Sequence, residues 1–193
     1  MSAVVTVGAW EAHYAAGRGF RPVMSNEQHT FERHVGPAAA AGLTALDIGC
    51  GTGEFAHYLT TCGYDVLGVD CAATAISRAT NRYSDTANLS FRCWDAENEQ
   101  WDDLPQFSVI TTRLSYAFIK DKTEFLKRVR THLAPGGHFH VMTPRREKLP
   151  PERRNTGINE TEVTDLCAGW AHVKRHELDA QHTSYTLTHQ QES

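Results

Sequence analysis

Along most of this chain, short apolar runs alternate with stretches whose apolar residues recur every three or four positions. A run ending at Leu46 and Asp47 leads into Gly49, Gly51 and Gly53, after which Phe55, Tyr58, Leu59 and Cys62 fall at helical spacing up to Gly63. Val66, Leu67 and Val69 predict the next strand, ending at Asp70, and Ala72, Ala75, Ile76 and Ala79 predict one face of the next helix. Leu89, Phe91 and Cys93 alternate as in a strand that ends near Asp95, and residues 107–114 read as a buried strand centred on Val109 and Ile110. Asp121 with Glu124 predicts a capping box before the helical face Phe125, Leu126, Val129 and Leu133. A Pro135-Gly136-Gly137 turn then precedes a strand at 139–142, which Thr143-Pro144 ends. A polar, basic loop to Arg154, a short helix at 163–167 and strands at 173–178 and 184–188 complete the pattern.

Strands that alternate with helices predict an α/β fold with a largely parallel sheet. Such sheets bind ligands beyond the carboxyl ends of their strands. Four predicted ends carry Asp47, Asp70, Asp95 and Arg113, the expected rim of one ligand site. Ahead of the first strand, residues 6–36 predict two short helices. Trp10, His13 and Tyr14 share a face of the first, Ser25 with Gln28 suggests a capping box for the second, and a Gly17-to-Pro22 join lies between. The chain therefore reads as one domain, with residues 1–36 as a helical lid across the site and 37–193 as the core.

Composition narrows the partners. The 193 residues are 40% hydrophobic and 22% charged, with net charge −4, so neither a nucleic-acid partner nor disorder is expected. No apolar run approaches the ~20 residues of a membrane span, residues 1–7 lack the basic start of a secretory signal, and Ser2 excludes the myristoylation pattern. Five scattered cysteines without a CxxC pair read as free thiols, which places the chain in the cytoplasm. Eleven histidines, His138, His140, His172 and His176 among them, fit no metal-binding spacing, so packed or surface roles and no metal are expected. Arg145, Arg146, Arg153 and Arg154 read as a solvated basic loop, with an anionic substrate as the alternative. Monomer and homodimer both remain open.

The glycine turn selects the cofactor. A phosphate loop would need GxxxxGK followed by Ser or Thr, which is absent. A dinucleotide turn needs glycines at its first, third and sixth positions. Here they fall at the first, third and fifth, and Glu54 stands where a pyrophosphate would lie at the helix N-terminus. With Asp47 nearby, a phosphate-free cofactor with cationic groups fits better, and S-adenosylmethionine is such a molecule. The stretch 46–59 resembles motif I of the class I S-adenosylmethionine-dependent methyltransferases. Asp70 matches the acid with which that family holds the ribose hydroxyls, Asp95-Ala96 its pair at the adenine edge, and Leu133 to Gly137 its turn before the fifth strand. The resemblance, over about residues 40–189, implies a Rossmann-like three-layer sandwich with a seven-stranded, mostly parallel sheet whose last strand is antiparallel.

The residues then take expected roles. Gly49, Gly51 and Gly53, with Cys50 between, let the backbone approach the methionine part of the cofactor. Asp47 faces its ammonium, Asp70 accepts from the ribose, Cys71, Asp95 and Ala96 line the adenine pocket, and Arg113 meets the cofactor carboxylate or an acidic substrate. His13 is the expected general base, with Tyr14 and Tyr116 beside the reacting methyl. Trp10, Arg21 and Ser115 are assigned to the acceptor, Trp10 also as a cation–π wall. Transfer itself is an in-line displacement, accelerated mainly by alignment. The absence of an Asn/Asp-Pro-Pro-Tyr segment at 112–116 argues against methylation of DNA bases. The expected acceptor is a small molecule, with a secondary metabolite as the class that analogy with similar small bacterial proteins implies. The alternatives are an RNA or protein acceptor, a cofactor-binding protein without catalysis, and a nicotinamide dehydrogenase, which Glu54 disfavours.

Overall fold

A computed structural model describes residues 6–189; the expectation drawn from residues 1–7 lies largely outside them. Strands β1 (Thr44–Ile48), β2 (Asp65–Asp70), β3 (Leu89–Cys93), β4 (Phe107–Arg113), β5 (Leu133–Pro144), β6 (His172–Glu177) and β7 (His182–Thr188) form one sheet in the order β3-β2-β1-β4-β5-β7-β6. Pairs β1–β2, β2–β3, β1–β4 and β4–β5 are parallel, and β7 runs antiparallel to both β5 and β6. This is the three-layer, Rossmann-like arrangement that the alternating pattern predicts.

Both faces of the central strands are buried, as a parallel sheet requires. Ala45 and Val109 point into one layer, with Phe31 of α2 (Ser25–His34), Phe55 and Leu59 of α3 (Glu54–Thr61), and Ile76 of α4 (Ala73–Arg82). Leu46 and Ile110 point into the other, with Phe125 and Val129 of α5 (Lys122–His132) and Leu166 of α6 (Glu160–Cys167). Consecutive residues of one strand thus serve opposite layers.

The N-terminal segment divides in two. Helix α1 (Val7–Ala15) packs on α4 through Trp10, Tyr14, Ala72 and Ala75. By contrast, α2 belongs to the core layer, because Phe31 is fully buried among Phe55, Tyr58, Tyr64 and His140.

Local chemistry differs from the sequence pattern at four points. The Ser25–Gln28 capping box does not form: Met24 is the N-cap, its carbonyl takes the Glu27 and Gln28 N–H groups, and Ser25 is already helical. Asp121 does accept from the Glu124 N–H at 2.9 Å, but Glu97 takes the Asp121 N–H that a capping box would give to Glu124. A complete capping box joins Asn159 and Glu162 instead. The glycine turn at 135–137 lies inside β5: Leu133 pairs with Phe107 and His138 with Val109, so residues 134–137 bulge out between two paired ends. Nor is the loop after β5 uniformly solvated. Arg145 is only 3% exposed and ion-paired with Glu160, and two 3-10 turns follow.

Candidate functional site

At the carboxyl ends of β1 to β4 the glycine turn is suspended from β2. The N–H groups of Gly49 and Cys50 donate to the Val69 carbonyl at 2.8 and 2.9 Å, and that of Gly51 donates to Asp70 Oδ2 at 2.9 Å. Gly49 and Gly51 adopt φ of +71° and +56°, where glycine is favoured. A Cβ on Gly49 would meet the Ser115 Cβ at 2.5 Å, and one on Gly51 the Tyr14 hydroxyl at 2.7 Å. The turn is therefore clamped between the loop after β4 and helix α1, and no side chain fits in either gap.

Around it opens a cleft with about 1140 Å³ of empty space, its mouth included. Asp47, Gly49, Cys50, Gly51, Asp70, Cys71, Asp95, Ala96, Arg113, Ser115, Trp10 and Tyr14 all line it. His13, Arg21, Gly53 and Tyr116 do not.

Each exception has a physical reason. His13 stacks on Phe20, with ring centroids 5.3 Å apart, and its imidazole is wedged beside Trp10 and Tyr14. Arg21 donates to Glu27 at 2.6 Å and to Asp179 at 3.1 Å. Tyr116 is completely buried in the layer beneath, against Phe125 and Phe139. Gly53, at φ +86°, faces the Phe91 ring, which a Cβ would meet at 2.7 Å, so it serves packing.

Two carboxylates dominate the electrostatics. Asp47 is 1% exposed; burial pushes its carboxyl up to about 6, against the hydrogen bond that Thr111 donates to Oδ1 at 2.6 Å. Its Oδ2 has no partner among the described residues. Asp70 is raised by burial too, and the opposing N–H groups of Ala72 and Gly51 hold both of its oxygens at 2.9 Å. The Asp95 carboxylate caps its own turn, accepting from the Glu97 N–H at 3.0 Å and the Asn98 side chain at 2.8 Å. Burial and the neighbouring Asp70 push the Cys71 thiol up to about 12, and burial keeps the Tyr14 phenol protonated far above its ordinary range.

Arg113 is committed to the protein. Its Nε donates to Glu27 Oε2 at 2.7 Å, and its Nη2 to the carbonyls of Arg21 and Pro22 at 3.1 and 2.9 Å. Glu27, 2% exposed, thus gathers two arginines and ties the α1–α2 connection to the end of β4. No local pattern marks Glu27, because one of its partners lies 86 residues away. Other lining residues without a sequence signal are Phe20, Trp94, Phe118, Ile119 and Lys120. Leu114, also in the lining, has φ +61°, a left-handed conformation rare for a leucine.

Fold and cleft together define a Rossmann-like α/β protein with a ligand site above its parallel strands. The chain belongs to the methyltransferase domain family, whose profile matches residues 25–188. A stretch of 105 residues is 35% identical to ubiquinone biosynthesis O-methyltransferase of Nitrobacter winogradskyi, covering 53% of this chain and 39% of that protein. The chain thus spans less than half the length of the curated relatives it matches. In fold it is similar to N-methyltransferase NodS from Bradyrhizobium japonicum, solved with S-adenosyl-L-homocysteine, at TM-score 0.64 and 20% identity over 86% of this chain and 88% of that one. It is similar also to phosphoethanolamine N-methyltransferase 2 of Haemonchus contortus, solved with phosphomonomethylethanolamine and S-adenosylhomocysteine, at TM-score 0.70 and 17% identity over 98% and 58% of the two chains. Among the described residues no helix is long and apolar enough to cross a membrane.

Proposed function

We propose that this chain is an S-adenosylmethionine-dependent methyltransferase for a small-molecule acceptor, working in the cytoplasm. One observation carries the reading: a buried carboxylate, Asp47, lines the cleft with one oxygen unpartnered, beside a glycine turn that admits no side chain. A buried acceptor without a donor is costly, and an ammonium from a ligand would offset that cost. The cofactor would supply an electrophilic methyl group on a sulfonium. Asp70, already oriented by two backbone N–H groups, keeps lone pairs free for a ribose diol. Ala96, with Cys71 beside it, offers a small surface for a flat base. Trp10 supplies an aromatic wall that favours a cation, and α1 excludes water from above. The family match and the O-methyltransferase relative support the activity, and five cysteines without a disulfide suit a reducing compartment.

Calorimetric titration with S-adenosylmethionine, S-adenosylhomocysteine and NAD tests the reading. The first two should bind and NAD should not. Asp70→Asn should weaken both by about 100-fold, the loss of two charge-assisted hydrogen bonds. Absence of binding by either sulfur compound overturns the proposal.

A further inference from the structure

The wall of the cleft that follows β3 is built by residues 94–98 and fastened to helix α5. Arg128 of α5 donates through Nη1 to the carbonyls of Ala96 and Glu97 at 3.3 and 3.1 Å. The Trp101 indole N–H donates to the same Ala96 carbonyl at 2.9 Å. His132, the last residue of α5, meets the Trp101 carbonyl through Nε2 at 3.0 Å. Glu97 adds a side-chain link: its Oε1 accepts from the N–H groups of Lys120 and Asp121 at 2.7 and 3.3 Å, at the start of α5. Backbone and side chain of Glu97 are therefore both held in place.

The hydrogen-bond acceptors of this wall divide unevenly. The Asp95 carboxylate is turned into its own loop: Oδ1 accepts from the Glu97 and Asn98 N–H groups at 3.0 and 3.4 Å, and Oδ2 from the Asn98 side-chain amide at 2.8 Å. The Ala96 carbonyl is taken by Trp101 and Arg128. Glu97 Oε2, by contrast, has no hydrogen-bond or ion-pair partner among the described residues, and Glu97 lines the cleft. A flat base seated on Ala96 beside Cys71 would lay its edge along this wall. An amine on that edge needs an acceptor, and a carboxylate oxygen already oriented by its neighbour is a strong one.

From this we propose that Glu97 Oε2 accepts from the exocyclic amine of the cofactor's adenine, and that Glu97 thereby selects adenine over a base with oxygen at that position. The resemblance to the methyltransferases gives that task to Asp95, which the structure instead holds in its own turn. The inference rests on the methyltransferase reading above and adds the residue that reads the base. The two N–H groups on Oε1 also fix what an amide would do there. In Glu97→Gln the side-chain oxygen stays with Lys120 and Asp121, because an NH2 group in its place would face two donors. The NH2 group then takes the Oε2 position and points a donor into the cleft. A carbonyl on the base suits that donor, and an amine does not.

Calorimetry on the full chain tests this with S-adenosylhomocysteine and S-inosylhomocysteine, in which a carbonyl replaces the amine. The inosine compound also carries a proton on the adjacent ring nitrogen, a difference common to every variant. The wild type should favour the adenine compound by about 30-fold to 300-fold. Glu97→Gln should weaken the adenine compound about tenfold, tighten the inosine compound, and bring their ratio to about one or below. Asp95→Asn should loosen the turn and weaken both compounds alike, keeping the wild-type ratio. A side chain that only supported the fold would likewise weaken both, so the ratio reports the contact and the affinity alone does not. An unchanged ratio in Glu97→Gln overturns the inference, and so does a collapse of the ratio in Asp95→Asn. Equal binding of the two compounds by the wild type overturns it without any variant. Failure of the wild type to bind either compound would instead overturn the methyltransferase reading, and this inference with it.

Discussion

Asp47 is buried, raised to about 6 against an ordinary 3.8, and half-satisfied. A carboxyl whose folded-state pKa lies above its unfolded value favours the folded state most below about 3.8 and loses that contribution as the pH rises through 6. Near neutrality the charged group is therefore a burden on the empty protein. Asp47→Asn should raise the unfolding free energy at pH 8 by about 2–3 kcal/mol and change nothing below pH ~4, as denaturant titrations at both pH values would measure. The same variant should weaken cofactor binding at least tenfold, because the amide offers an ammonium no charge. In the wild type, affinity for S-adenosylmethionine should rise as the pH increases through about 6 and then level off, since only the ionised acid meets the ligand. A site residue that stabilises the fold when neutralised is the expected signature of a function-bearing acid. The motif made Asp47 legible; its missing partner became visible only with the three-dimensional arrangement.

At the scale of elements, α1 is fastened to α4 at its middle and at its C-terminal end. Glu11 accepts from the Thr74 N–H and hydroxyl, capping an α4 whose own N-cap, Ala72, has no side-chain oxygen. Arg78 of α4 donates to the carbonyls of Tyr14 and Arg18 at 3.2 and 2.9 Å, closing the C-terminal end of α1. The helical spacing of Trp10, His13 and Tyr14 revealed the helix. It could not reveal this docking, because Thr74 and Arg78 lie more than sixty positions along the chain. Arg78→Ala should speed amide exchange across residues 7–15 and weaken cofactor binding a few-fold, while exchange in β1 and β4 stays slow. Equal acceleration in the strands would mean that α1 opens only with the whole domain. Helix α2 behaves differently. Glu27→Gln leaves two arginines short of their shared anion and should cost about 3–5 kcal/mol in global stability, read by thermal unfolding.

Across the whole molecule, the alternation of strands and helices and the acids at the strand ends were legible in the sequence, because a parallel sheet buried on both faces repeats its demands along the chain. What stayed hidden were pairings between distant segments, and the histidines are the widest example. His140 of β5, 4% exposed, shares a hydrogen bond with Thr186 of β7 and packs edge to face on Phe31 of α2. Burial, with His34 and His138 beside it, brings its pKa down to about 3. His34 and His138 are lowered as well, by burial and by Lys174 of β6, with His176 and Arg33 adding to His34. A histidine with a depressed folded-state pKa is held neutral in the native protein, whereas the unfolded chain takes up its proton below about 6.5. The sign follows: this stability is complete above 6.5 and is lost progressively as the pH falls toward 3. At pH 5 His140 alone should cost about 2 kcal/mol relative to pH 8. His140→Asn keeps a partner for Thr186 and should shrink the fall between those pH values by about that amount, even though the variant starts less stable from the changed packing. Denaturant unfolding of both proteins at pH 8 and pH 5 measures it. An identical fall in the two would show that the acid sensitivity arises elsewhere, in His34 or His138.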